Sequence, residues 1–327
     1  MLSELIKNGQ RQVESLSNDL FPFLPENIKD GLSFAFNRAM KVVGLGQLEL
    51  EIKRVHAGVD ISYLQGGPQY GETILFLHGF SDSKFGFVPA AKELTDNYNL
   101  IVPDLPGFGE SEKPDHLEFH LEQYTSWVLA LMVRLGLKDI HLAGNSLGGA
   151  IAASVALARP DLIKTLTLTG SAGAMGDEPT GVYHDIQEGR NFFAIDNVGD
   201  FDHIMNTLFY RTPRLPQIVK HYMFKKFLTK RSWYDRLMNE LSYGVISQEE
   251  GDIERDYLLN DRLKEISVPT LLIWGDSDRL FPLEIARIFE QNISGSMLVV
   301  FKKTGHMPQV ERPGRFAEAL KNFISAN

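Results

Sequence analysis

The segment Ile140-His141-Leu142-Ala143-Gly144-Asn145-Ser146-Leu147-Gly148-Gly149 is followed by an alanine-rich run to Ala158 and then by Pro160. A short apolar run, a serine between glycines and a stretch of small residues ended by proline predict strand, sharp turn and helix. Gly-x-Ser-x-Gly in that setting is the pattern of a nucleophile elbow, a strained turn that tolerates no side-chain bulk two residues before or after the serine. Ser146 then opens a helix, whose N-terminus favours negative charge. Without the strand and the helix, the same letters describe an ordinary glycine-rich turn.

Outward from this segment, short apolar runs alternate with helical patterns. Ile74–Leu77, Leu100–Val102, Ile140–Ala143, Leu166–Leu168, Leu271–Trp274 and Leu298–Phe301 are expected as buried strands. Leu121, Tyr124, Val128, Leu131 and Leu135 share one face of a helix. Strands alternating with helices predict an α/β fold: a mostly parallel sheet covered on both faces. It starts antiparallel, with expected strands at Leu48–Ile52 and Val59–Leu64. The pattern lapses between residues 172 and 267, which read as a helical cap inserted between two strands, leaving 48–171 and 268–327 as the core. Residues 1–47 form an amphipathic helical arm, with Leu2, Leu5, Ile6, Val13, Leu16 and Leu20 at helical spacing and Ile28, Leu32, Phe36, Met40 and Val43 after the Phe21–Pro25 break. Such an arm lies on a lipid surface, pairs with another subunit, or simply packs on its own protein.

A serine hydroxyl needs a base to become a nucleophile, and the base needs an acid to orient it. This architecture predicts the chain order Ser…Asp…His. Asp276 and Asp278 follow the Leu271–Trp274 run, and His306 follows Leu298–Phe301, so both groups fall at strand C-terminal ends, where ligands bind in open α/β sheets. The oxyanion that forms in acyl transfer needs preorganised N–H donors. The amide of Leu147, after the serine, is one candidate, and the amide of Phe80 in His78-Gly79-Phe80-Ser81 is the other. His78 is expected to be a structural loop residue.

With these residues in view, the chain resembles the α/β-hydrolase superfamily, in its branch of bacterial lipases, esterases and monoacylglycerol-lipase-like enzymes. The similarity runs from about residue 48 to the C-terminus through His78-Gly79-Phe80, Asp104-Leu105-Pro106-Gly107-Phe108-Gly109-Glu110-Ser111, the elbow, Trp274-Gly275-Asp276-Ser277-Asp278, and Gly305-His306 with Glu311-Arg312-Pro313. The resemblance implies Ser146 as nucleophile, His306 as base and, because the family pattern is Gly-x-x-Asp counted from Gly275, Asp278 as the acid. It implies a structural role for Asp104. The function it implies is hydrolysis of carboxylic esters through an acyl-enzyme. A carbon–carbon bond hydrolase of aromatic ring-fission products has the same triad and often the same Gly-Asn-Ser-x-Gly-Gly spelling. Against that reading, those enzymes usually have a more glycine-rich oxyanion loop, and many have tryptophan where Met307 stands. A serine at position 146 excludes the dehalogenase and epoxide-hydrolase relatives, which place aspartate there. A non-catalytic scaffold usually loses a triad member, whereas all three are present.

Composition narrows the field further. The 327 residues are 43% apolar and 23% charged with net charge -9, which is ordinary globular usage and a poor match to nucleic acid. There is no cysteine, hence no disulfide, thiolate metal site or cysteine nucleophile. No apolar stretch approaches the roughly 20 residues of a membrane span, and the first residues lack the apolar core of a signal peptide, so the default location is cytoplasmic. No cofactor is expected. His116 and His120 stand at i, i+4, a spacing used for zinc, but without the motif's glutamate they read as a helix start. The basic and apolar run Lys220–Arg231 suits either an anionic lipid surface or a cap helix with snorkelling lysines. The aromatic pairs Phe192-Phe193, Phe209-Tyr210 and Trp233-Tyr234 suit a cap core or an acyl pocket.

Overall fold

The computed structural model describes residues 21–242 and 258–327. The expected helical positions up to Leu20, and the cap segment 243–257, lie outside the described residues. Eight strands form one sheet: β1 (Glu51–His56), β2 (Asp60–Gly66), β3 (Thr73–Leu77), β4 (Asn99–Pro103), β5 (Ile140–Asn145), β6 (Ile163–Thr169), β7 (Thr270–Gly275) and β8 (Met297–Phe301). Their order is β1-β2-β4-β3-β5-β6-β7-β8. The β1–β2 and β2–β4 pairs are antiparallel and every later pair is parallel. This is the α/β-hydrolase fold anticipated from the sequence.

Alternation along β3 shows why its run is continuously apolar. Leu75 and Leu77 join one core cluster, and Ile74 and Phe76 join another on the opposite face. The first cluster is covered by α2 (Leu121–Leu135) and α3 (Leu147–Ala158), and the second by Phe316, Leu320 and Phe323 of the C-terminal helix (Pro313–Ala326). A strand buried on both faces has no polar side to show.

The first strand lies elsewhere than expected. Helix α1 (Glu26–Gln47) runs on to Gln47, and the Leu50 amide turns back to the Leu45 carbonyl, so Leu48–Leu50 make a turn and β1 begins at Glu51. The alternation at Leu48–Ile52 came from that turn. β1 is an edge strand with no fully buried residue, so no apolar stripe marks its true limits.

Between β6 and β7 the chain forms α4 (Val182–Gln187), α5 (Val198–Leu208), α6 (Gln217–Leu228) and α7 (Arg231–Leu241). Helix α7 is tied to the loop before α2: Trp233 donates to the Gly107 carbonyl, Arg236 donates to the carbonyls of Asp115 and Leu117, and Glu240 accepts from the Phe119 amide. Helix α6 instead lies against α1, where His221 Nε2 meets Asp30 Oδ1 at 2.7 Å and Phe21 packs edge-on against the His221 ring. The described part of the arm thus packs on its own protein.

Candidate active site

The turn between β5 and α3 holds Ser146 at φ 57° and ψ -122°. A non-glycine residue there stores strain on the order of 1–3 kcal/mol, which the surroundings must hold. They do so by close approach: a Cβ on Gly144 would stand 2.1 Å from the Gly148 carbonyl oxygen, and one on Gly148 would stand 2.1 Å from that of Leu77. The Ser146 amide donates to Thr169 at the end of β6, and its carbonyl accepts from Ala172.

His306 and Asp278 come together beside this turn. His306 Nδ1 lies 2.9 Å from Asp278 Oδ2, with both side chains buried. The other carboxylate oxygen accepts from the amides of Leu280 and Phe281, each at 2.9 Å, which fixes the carboxylate's orientation. An acceptor at Nδ1 sets the tautomer that leaves Nε2 as the basic nitrogen. Gly170, at φ 46°, passes over this pair, and a Cβ there would meet His306 Nδ1 at 3.0 Å and Asp278 Oδ2 at 3.1 Å. Asp276 takes no part: its Oδ1 accepts from the Lys303 amide and the Ser277 hydroxyl.

Ser146 and His306 both line a cavity of about 340 Å³. A second space of about 40 Å³ also reaches Ser146 and Leu147, between Val182, Ile186, Met238 and Leu280. The amides of Phe80 and Leu147 make no hydrogen bond to protein groups among the described residues, leaving both donors unused at the cavity. The Phe80 ring packs against Phe108, Phe193 and Tyr234.

Beneath the Phe80 loop lies a buried polar frame. His78 Nε2 accepts from the Leu105 amide and Nδ1 faces the Gly79 carbonyl, which makes Nδ1 the protonated nitrogen. Burial lowers the His78 pKa against the pull of Asp82 and Asp104. Asp104 accepts from the Lys84 amide, the Lys84 ammonium at 2.5 Å and the Glu110 amide. Burial pushes the Asp104 pKa up, but the Lys84 charge and these bonds outweigh it and hold the carboxyl below its usual range. Neither His78 nor Asp104 lines the cavity.

Three further residues, none singled out in the sequence, secure the site. Asn145 Nδ2 donates to the carbonyls of Thr169 and His306, and its Oδ1 accepts from Gln309, so one amide joins the serine turn to the histidine loop. Glu311 accepts from the amides of Gly305 and Tyr210, while the His306 amide donates to Leu208. The histidine loop is thereby bonded to the chain that leaves α5. Burial raises the Glu311 pKa, with the two amides opposing. The hints in the sequence were Glu311-Arg312-Pro313 as a motif and Asn145 as part of the Gly-Asn-Ser-x-Gly-Gly spelling, neither with a role attached.

The aromatic pairs divide. Phe193 and Phe209 line the larger cavity, whereas Tyr234 is buried beside Phe80 and Trp233 packs on Phe119. His120 caps α2 by accepting from the Gln123 amide, and His116 is exposed. Among the described residues, one group, Glu26, Asp30 and His221, has potential metal ligands within reach of one another. It lies on the arm and α6, and His221 and Asp30 already bond to each other.

The model of the alpha/beta hydrolase fold family matches residues 72–313, and the chain belongs to that family. Its relatives are hydrolases. Lipase 1 of Psychrobacter immobilis is 28% identical over 301 residues, covering 90% of each chain. The 2-hydroxy-6-oxononadienedioate/2-hydroxy-6-oxononatrienedioate hydrolase of Klebsiella pneumoniae is 24% identical over 259 residues, 78% of this chain and 87% of the relative. Among solved structures, a bacterial membrane phospholipase A aligns with TM-score 0.83 and 26% identity over 100% of this chain and 99% of that one.

Proposed function

We propose that this hydrolase is a serine carboxylic-ester hydrolase of lipase type, acting on acylglycerol-like esters. The observation that carries the reading is the Asp278–His306 bond, with Asp278 held by two amides and His306 opening on the same cavity as Ser146. In the proposed cycle His306 Nε2 takes the Ser146 hydroxyl proton as Oγ attacks the ester carbonyl carbon. The negative oxygen is met by the Phe80 and Leu147 amides, assisted by the N-terminus of α3. His306 then returns the proton to the departing alcohol. A water molecule, deprotonated by the same imidazole, cleaves the acyl-enzyme to release the acid and restore Ser146. Asp278 stays ionised and favours the imidazolium formed at each attack.

The apolar cavity wall of Ile204, Met205, Leu208, Phe209 and Met307 supports a fatty acyl chain as the acid part. Exposed Phe23, Ile28, Leu32 and Phe34 on the arm support peripheral contact with a lipid surface. Among the described residues, no helix is long and apolar enough to cross a membrane. The Klebsiella relative favours the second reading, ring-fission product hydrolysis. Both are tested by assaying a chain-length series of chromogenic esters and monoacylglycerols, with a dienoic ring-fission product alongside and Ser146→Ala as control. Ester turnover abolished by the substitution is the expected result. Turnover surviving it removes the mechanism, and turnover of the dienoate alone promotes the second reading.

A further inference from the structure

Besides His306 and the phenol of Tyr222, two ionisable side chains line the larger cavity among the described residues: Asp82, from the loop that carries Phe80, and Lys226, from α6 of the cap. Neither belongs to the triad or to the frame beneath the loop. Asp82 Oδ2 is buried and lacks a hydrogen-bond partner among the described residues, although a buried carboxyl normally finds its partners within the protein. His78, its nearest basic neighbour, has both ring nitrogens engaged elsewhere. Lys226 also stands apart from its neighbours. Lys220 is paired with Asp202, and Lys225 with Glu26 and Asp30, but Lys226 makes no ion pair among the described residues. The two groups sense each other's charge without forming a bond, and burial raises the Asp82 pKa against the opposing pull of His78, the Ser83 amide and Lys226. The rest of the wall is mostly apolar: Ile204, Met205, Leu208, Phe209 and Met223 among others.

We infer that Asp82 and Lys226 form the subsite for the alcohol half of the ester, and that they select alcohols bearing free hydroxyls over plain alkyl alcohols. The inference rests on the ester-hydrolase reading and names what the cavity recognises. A hydroxyl donates to one group and accepts from another, so a polyol such as glycerol satisfies an acceptor and a donor on the wall of one cavity. A phosphate or a second carboxylate would satisfy Lys226 but meet Asp82 as a like charge, and an alkyl alcohol would offer neither group a hydrogen bond. Rejection comes mainly from Asp82, whose buried carboxyl gains no further partner from an alkyl alcohol. The acyl chain then takes the apolar wall, and the departing glycerol keeps its hydroxyls on the polar pair.

The test compares kcat/KM for 1-monolauroylglycerol, ethyl laurate and 1-lauroyl-lysophosphatidic acid, dispersed in one detergent. The unsubstituted chain, Asp82→Asn and Lys226→Met are measured side by side. The unsubstituted protein is expected to prefer the glycerol ester over the ethyl ester by about tenfold or more, the discrimination that charged hydrogen bonds supply, and to prefer it over the phosphate-bearing ester. Each substitution is expected to lower the glycerol-to-ethyl ratio about fivefold or more. Equal losses on both esters would make Asp82 a support of the Phe80 loop and overturn the inference, as would unchanged ratios in both variants. Lys226 is on a cap helix without buried residues, so its substitution gives a result even if Asp82→Asn misfolds. Preference for the phosphate ester also overturns it. Ethyl laurate turnover that depends on Ser146 keeps the ester reading standing whichever way the ratio falls, and turnover of no ester removes both.

Discussion

Helices α3 and α6 each have twelve residues; α3 starts directly after Ser146 on the cavity wall and α6 lines the same cavity, yet ten residues of α3 are buried and none of α6 is. Helix α3 is built of Gly, Ala, Ser and the aliphatics Leu, Ile and Val, and presses against β3, β5 and β6. Helix α6 mixes four basic side chains with aromatics, and its polar groups reach α1, α5 and the cavity. One helix fixes the geometry of the chemistry. The other determines what is presented to it. Damage to the α3 side should therefore appear as lost catalysis or lost folding, and damage to the α6 side as altered preference.

The strongest way to break this contrast is Ser146→Ala, at the head of α3. Loss of the proposed nucleophile is expected to lower kcat/KM by about 10⁴- to 10⁶-fold while the thermal midpoint stays within a few degrees, because every Ser146 bond described above uses its backbone. Steady-state kinetics and calorimetry on the same sample check both halves.

Next in size is Lys84→Met, beneath the Phe80 loop. It leaves Asp104 buried and uncompensated, and removing one partner of such a pair costs about 3–5 kcal/mol. Chemical denaturation reads the loss. The pH dependence gives its sign. The Asp104 pKa is lower in the folded chain than its ordinary value of 3.8. The pair's stabilisation is thus fully present above pH 3.8 and is lost as pH falls through the folded value. Lys84→Met should flatten that acid limb. An unchanged acid limb would mean that Lys84 does not hold the carboxyl ionised.

A smaller effect is expected at Gly170→Ala. Its methyl group would stand about 3 Å from both members of the Asp278–His306 pair, and misplacement of catalytic groups on that scale costs about 10²-fold. The measurement is kcat, with KM expected to change less, since Gly170 is absent from the cavity wall. A KM effect without a kcat effect would place the damage in binding.

How much of this was legible beforehand follows from the range of each interaction. Ser146, Asp278 and His306 stood out because each sits in a short motif at a strand end, and strand ends are marked locally by apolar runs. The fold followed from the same runs. Asn145 and Gln309 did not stand out, because their bond spans 164 positions and neither residue type signals it. Asp104 reads as structural, but its partner Lys84 lies 20 positions earlier, on a single 3-10 turn (Lys84–Phe87) too short to show periodicity. Asp82 and Lys226 were invisible for a further reason. A lone carboxylate and a lone ammonium are ordinary surface letters, and only a cavity gives their lack of partners meaning. The β1 boundary was misjudged because an edge strand buries too little to mark its ends.

The smallest effect sharpens the comparison at the outer side of α6. Phe23 and Phe34 are 83% and 58% exposed on the arm that α6 packs against. If the arm meets lipid, these rings enter the interface, and moving a phenylalanine side chain fully out of water is worth about 1.5–3 kcal/mol. Partial insertion yields less, so the Phe23→Ser, Phe34→Ser double variant should bind anionic lipid vesicles about three- to tenfold more weakly in a flotation assay. Turnover of a water-soluble short-chain ester should stay near that of the parent, because neither residue lines the cavity. Reduced turnover of both soluble and vesicle-borne esters would instead show that the arm acts through α6 on the cavity. Asn37, from the same arm helix, does line that wall, so the arm would then belong with the cap as part of the substrate site rather than as a lipid contact.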